Sequence, residues 1–151
     1  MDKHTILIID FGGSNQAQSL ARMLRGAGIY TEILPYNAPI DMISQLNPQG
    51  ILMTGGREPL EQECDYGVWL MRTPVLAMGA SARQMIRQLG GQVKNVQLDE
   101  SMLELEADSS CPLFDGLSRC ERFIQRINAV ELPENFRSIG CCEGVTAAFA
   151  Y

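Results

Sequence analysis

Histidine is almost missing from this chain: there is one in 151 residues, His4, ahead of the first hydrophobic stretch. A catalytic base of the usual kind therefore has a single candidate, and a zinc set that needs histidine cannot be completed. The five cysteines (Cys64, Cys111, Cys120, Cys141, Cys142) contain no CxxC pair and no metal-ligand spacing, so no metal is expected. The adjacent Cys141 and Cys142 would point to opposite faces of an alternating strand and read as reduced thiols. Long apolar runs are also lacking: ILII at 6–9 is typical, and nothing approaches a membrane span. No Lys/Arg cluster breaks up the net charge of −6, which argues against a nucleic-acid partner. Neither G-x-G-x-x-G nor a P-loop occurs, so no cofactor is expected. Met1–Thr5 carries Asp, Lys and His straight into a strand, unlike a signal peptide, and the expected location is cytoplasmic.

What is present is an ordinary globular composition, 46% hydrophobic and 20% charged, long enough for one domain over 1–151. TILIID (5–10) reads as a buried strand, apolar until Asp10. The turn FGGSNQ follows, with Ser14 as the expected N-cap of a helix carrying Leu20, Met23 and Leu24 and stopping at Gly26 or Gly28. IYTEILPY (29–36) is a second strand, and Pro39 opens a short helix with Ile40, Ile43 and Leu46 on one face. GILMTGG (50–56) is a third strand, Cys64–Met71 a short helix, PVLAM a fourth strand, and SARQMIRQLGG its following helix. Continuous apolar strands alternating with helices predict an α/β fold, with a parallel sheet covered on both faces. After Gly91 the pattern becomes QVKNVQL, SMLELEA, RFIQRI, FRSIGCC and VTAAFAY, separated by turns such as SSCPLFDGL and ELPEN. These predict a more antiparallel C-terminal half on the same sheet.

In open α/β sheets, sites form at the C-terminal ends of the strands. Three such ends stand out: Asp10–Ser14, Thr54–Arg57 and Met78–Arg83. The last belongs to PVLAMGASARQMIRQLGG, a strand–tight turn–helix unit of the kind that holds a reactive side chain above a sheet. Its tip, Gly79, has no side chain. With NPQGILMTGG, CPLFDGL, AVELPENF and TAAFAY, these stretches resemble the class I glutamine amidotransferase domain of GMP synthetase type over nearly the whole chain. LIIDFG, TEILPYNAPIDMI and QLNPQGILMTGG are the segments most specific to that branch. The resemblance implies a flavodoxin-like fold and a glutaminase that uses an elbow Cys, a His base and a Glu orienting the His.

Carried over by position, that machinery is degenerate. The elbow Cys falls on Gly79, the glutamine-contacting Gln on Arg83 and the catalytic His on Gln125. No counterpart to the family's Glu-Tyr-Gly stretch occurs in NVQLDESMLE. The His-x-Glu segment would follow TAAFA, where the sequence reaches Tyr151; restoring it would supply no side chain at Gly79. The oxyanion glycines persist as Gly55 and Gly56, with Arg57 where the family has Pro. His4 lies about 16–20 Å of strand away from Asp10, too far to serve the site. Ser81, in a run resembling G-x-S-x-G with its last Gly replaced, is an alternative nucleophile; against this stands an N-cap role on the following helix.

The resulting expectation is an inactive amidotransferase-like module for binding, scaffolding or regulation. Two alternatives are a glutamine-hydrolysing unit supplying ammonia to a GMP synthetase-type ligase and a hydrolase using Ser81. Asp10, Ser14, Gly55, Gly56, Arg57, Gly79, Ser81 and Arg83 form the residual binding site. Its free backbone N–H groups and two arginines would suit a small anion. The opposing reading is that the glycines merely keep the fold and the arginines point to water. FGGSN is one residue longer than the family's usual turn. The resemblance also implies docking on an ATP-dependent synthetase domain or subunit, with Trp69 and Leu70 either packing a helix on the sheet or forming a partner surface. A homodimer covering a sheet edge is a further expectation.

Overall fold

The computed structural model describes residues 5–57, 61–95, 102–116, 119–123, 128–142 and 144–151. His4 and Gln125 lie outside the described residues. The chain divides into two compact units, Met1–Met85 and Ile86–Tyr151.

The first unit alternates β1 (Thr5–Asp10), α1 (Gln16–Gly26), β2 (Tyr30–Pro35), α2 (Ile40–Gln45), β3 (Gly50–Thr54), α3 (Gly67–Leu70) and β4 (Val75–Ala77), and α4 (Ala80–Gln88) begins in it. The strands form one parallel sheet in the order β2-β1-β3-β4. Strand period sends Leu7, Ile9, Ile51 and Met53 into one buried cluster with Ile43 of α2 and Val68 of α3. Ile8 faces the other way, against Ala17 and Ala21 of α1. Both faces are covered, which is why TILIID shows no polar alternation.

The helix faces differ in detail from the sequence reading. On α1 the residues buried are the alanines; Leu20 and Leu24 are half-buried and Met23 is 71% exposed. Small side chains let α1 lie close to the sheet, and that close approach leaves Met23 on the outer flank. The predicted helix at Cys64–Met71 is only α3, four residues long. Trp69 does pack against the sheet cluster, but Leu70 is 72% exposed, so the two residues split the two readings made of them. Asp65 Oδ2 accepts from the Ile40 N–H at 2.9 Å and its Oδ1 from the Gly67 N–H at 2.9 Å, tying the starts of α2 and α3 together.

In the second unit, β6 (Met102–Ala107), β7 (Arg119–Phe123), β9 (Arg137–Cys142) and β10 (Val145–Ala150) form an antiparallel sheet ordered β10-β9-β6-β7. A separate ribbon pairs β5 (Gln92–Asn95) with β8 (Asn128–Glu131). The antiparallel half therefore does not extend the first sheet, as the sequence reading had it; its strands satisfy their backbone groups among themselves. β8 falls at the edge of the ELPEN turn, in a segment too short and polar to stand out as a strand. Cys142 is fully buried while its neighbour Cys141 is half-exposed, the alternation expected of adjacent strand positions. Neither cysteine forms a disulfide.

Candidate functional site

A strand order of 2-1-3-4 reverses direction between β1 and β3, the point where open α/β sheets form their crevices. Asp10 ends β1 and Thr54 ends β3, and the two residues are register partners. Asp10 Oδ1 accepts from the Gly12 N–H at 2.8 Å, folding the FGG turn back on its strand. Beyond the last ladder pair the strands stay joined: the Phe11 N–H donates to Thr54 O at 2.9 Å and the Gly56 N–H to Gly12 O at 2.7 Å. Arg57 Nη2 contacts Gly13 O at a long 3.4 Å. The two glycine turns are thus stitched to each other, with the Gly56 N–H and the Arg57 guanidinium directed at backbone carbonyls.

Ser14 stands one residue ahead of the N-cap. That position is Asn15, which makes no side-chain cap bond, while Ser14 Oγ accepts from the Gln16 N–H at a long 3.4 Å. The stronger tie at this end of α1 comes from the sheet. Thr54, 2% exposed, donates its hydroxyl to Gln16 Oε1 at 3.0 Å.

The elbow runs from β4 through Met78 and Gly79 into α4. Gly79 has φ +64°, the conformation that disfavours a side chain, yet a Cβ built there would meet nothing within 4 Å. The turn keeps its geometry and leaves space at its tip. Ser81 does not point into that space. It is 1% exposed, its Oγ donates to Met78 O at 2.7 Å, and it accepts from the Met78 N–H at 3.3 Å. Ser81 also lies inside the first turn of α4 instead of capping it, so the N-cap reading gives way to a brace across the elbow. Ser81→Ala is expected to cost about 1 kcal/mol, a melting shift of about 3 °C, because the Met78 N–H keeps its bond to Met53 O. Thermal unfolding checks this; a loss of several times that size would mean the brace holds more than the elbow.

Arg83 sits half-buried in the first turns of α4, where its N–H donates to Gly79 O at 3.3 Å. Its neighbour Gln84 is 3% exposed, with an Oε1 that has no hydrogen-bond partner among the described residues. Cys64, buried in the sheet cluster, has its thiol pushed up to about 11 by burial and is no substitute nucleophile.

An open cleft of about 500 Å³ lies beside the elbow. Gly79 and Met78 form one side of it; Asn15, Gln16 and Ser19 of α1 form another. Thr54, Leu20 and Met23 complete the lining. Of the eight residues expected to form the residual binding site, only Gly79 lines this cleft, alongside the strand-end residues Thr54 and Met78; Asp10, Gly55, Gly56 and Arg57 belong to the stitched turns. The signal that marks the cleft in the sequence is Gln16, Ser19, Leu20 and Met23 at i, i+3, i+4 and i+7, a helix stripe half polar and half apolar.

The glutamine amidotransferase class-I family model matches residues 7–148. A glutamine-hydrolyzing GMP synthase of Acetivibrio thermocellus is 36% identical over 124 residues, which is 79% of this chain and 24% of that protein. One of Clostridium botulinum (strain Alaska E43) is 31% identical over 147 residues, 93% of this chain and 28% of that protein. The chain therefore spans about a quarter of the length of these relatives. Among solved structures, a GMP synthase subunit candidate from Thermoplasma acidophilum superposes with a TM-score of 0.81 at 19% identity, over 100% of this chain and 79% of that one. A glutamine amidotransferase of Thermotoga maritima gives a TM-score of 0.71 at 14% identity, over 100% of this chain and 73% of that one. Sheet order, elbow and family match agree, and the chain belongs to the class I glutamine amidotransferase family, with its relatives among the GMP synthases.

Proposed function

We propose that this chain is an amidotransferase domain of GMP synthase type that no longer hydrolyses glutamine and acts as a binding or scaffolding module for an ATP-dependent synthetase domain or subunit. Gly79 carries this conclusion. Acyl transfer by a covalent route needs a nucleophile at the elbow tip with a base in hydrogen-bond reach. Gly79 offers an open tip with no side chain, Ser81 is turned back onto Met78, and Cys64 is buried with a raised thiol. The sequence's one histidine, His4, comes before β1 in the chain order. The engagement of the Gly56 N–H and Arg57 with the carbonyls of Gly12 and Gly13 favours a structural role for the glycine turns over capture of a small anion.

The test is ammonia release from glutamine by the purified chain, alone and with a GMP synthetase partner and its nucleotides. No release above the protein-free rate is the expected result. Release would favour the second reading, an active glutamine-hydrolysing unit, to which the names of the curated relatives point. Gly79→Cys restores a thiol at the elbow tip and so tests whether loss of that side chain alone accounts for the inactivity. The open space admits a thiol at a cost of about 1–2 kcal/mol for the left-handed backbone. Mass spectrometry after brief alkylation at pH 8 is expected to label residue 79 and spare Cys64, while ammonia release stays absent. Glutamine hydrolysis by this variant would show that a base is still in place.

A further inference from the structure

Charge in the first unit is sorted by sheet face. The helix α1, which covers the Ile8 face, carries Arg22 and Arg25 and no acidic residue. Arg25 Nη2 donates to Thr31 O at 2.7 Å, which fixes that charge beside the helix. Next to Arg22 in the chain stands the exposed Met23. The opposite face of the sheet, with Leu7, Ile9, Ile51 and Met53, is covered by α2 and α3. No lysine or arginine occurs in 26–56 or 58–71, whereas Asp41, Glu61 and Glu63 are exposed there. The helices α2 and α3, tied together through Asp65, also expose Met42, Tyr66 and Leu70. Tyr66 and Leu70 are one helical turn apart and share a side of α3.

Three large apolar side chains exposed on two adjoining helices, with carboxylates around them, call for an apolar partner of positive charge. The outer side of α1 is such a partner: Met23 matches Tyr66 and Leu70, and Arg22 and Arg25 match Asp41 and Glu63. The two patches lie on opposite faces of one sheet, so they can meet only between molecules. We propose that a second copy of this chain is the occupant, with the α2–α3 face of one copy docked on α1 of the next. A two-fold pair through α1 would set Arg22 and Arg25 against themselves, and one through α2 and α3 would oppose carboxylates, so like charge disfavours both. A contact between unlike faces leaves one face of each kind free on every pair. Assembly then continues until the copies close a ring or extend in a row. This contact uses outer helix faces and not the elbow, so it stands whether or not the chain hydrolyses glutamine.

Light scattering across a concentration series tests it. So few anchoring side chains set an expected Kd on the order of 100 µM, and the average mass of the purified chain is expected to rise past two copies above that concentration. Arg22→Glu reverses a charge on the α1 face, and Leu70→Gln removes an apolar contact from the α3 face. Both positions are exposed, so each variant is expected to melt with the parent chain while self-association weakens about tenfold. Mixing the two variants is the decisive arm. The intact α3 face of Arg22→Glu fits the intact α1 face of Leu70→Gln, and the remaining faces are both impaired. The mixture is therefore expected to approach the mass of two chains and to stop there. The proposal is overturned if the parent chain stays monomeric, if its mass levels off at two copies, if both variants associate as it does, or if the mixture is no heavier than either variant alone.

Discussion

Gly55→Ala is expected to destabilise the protein by about 3–5 kcal/mol, enough to remove much of the stability of a domain this size. Two effects add at this residue. Its φ of +82° places a side chain in the left-handed region, at about 1–2 kcal/mol. Its Cβ would then lie 2.7 Å from Gly12 O and 2.9 Å from Asp10 Oδ1. Neither atom can retreat freely: Gly12 O accepts from the Gly56 N–H, and Asp10 Oδ1 holds the Gly12 N–H. The methyl must break the stitch between the two turns or push β1 from β3. Gly79→Ala is the control, since it has a similar φ of +64° but no atom within 4 Å, and is expected to cost about 1–2 kcal/mol. Urea unfolding of both variants measures the difference; equal losses would mean that backbone conformation and not the close approach sets the penalty.

Ile9→Ala is expected to cost about 3–4 kcal/mol. Ile9 is fully buried on the central strand, which is paired on both sides, and its cluster draws on α2, α3 and the neighbouring strand. The surrounding side chains are held by two strand ladders and can close the cavity only in part. Met23→Ala, in a residue whose spacing suggests a core-facing stripe, is expected to change stability by less than about 0.5 kcal/mol because Met23 is 71% exposed. The same denaturant titration reads both; a large loss at Met23 would mean that α1 sits deeper on the sheet than its alanines indicate.

The contrast between these residues shows where the sequence was legible. A run such as TILIID, followed by a glycine pair and a helix-length segment, could only be a strand covered on both faces, because its apolar residues fill both parities of the pleat. The repetition of that unit determined the parallel sheet, and the elbow PVLAMGASARQ determined that a side chain is missing at Gly79. These properties follow from local spacing and residue type, which chain order records directly.

Tertiary structure decided the rest. Whether Met23 or Ala21 faces the sheet depends on how closely α1 approaches it, and period alone allows both. Ser81 could read as a nucleophile or a cap until its hydroxyl was seen bonded back to Met78. The antiparallel strands could have extended the first sheet, and their hydrogen-bonding partners place them in sheets of their own. The cleft joins Gln16 to Thr54 across 38 positions of chain through one hydrogen bond. Residues that distant meet only when the sheet brings its strand ends together, so no local pattern could announce them.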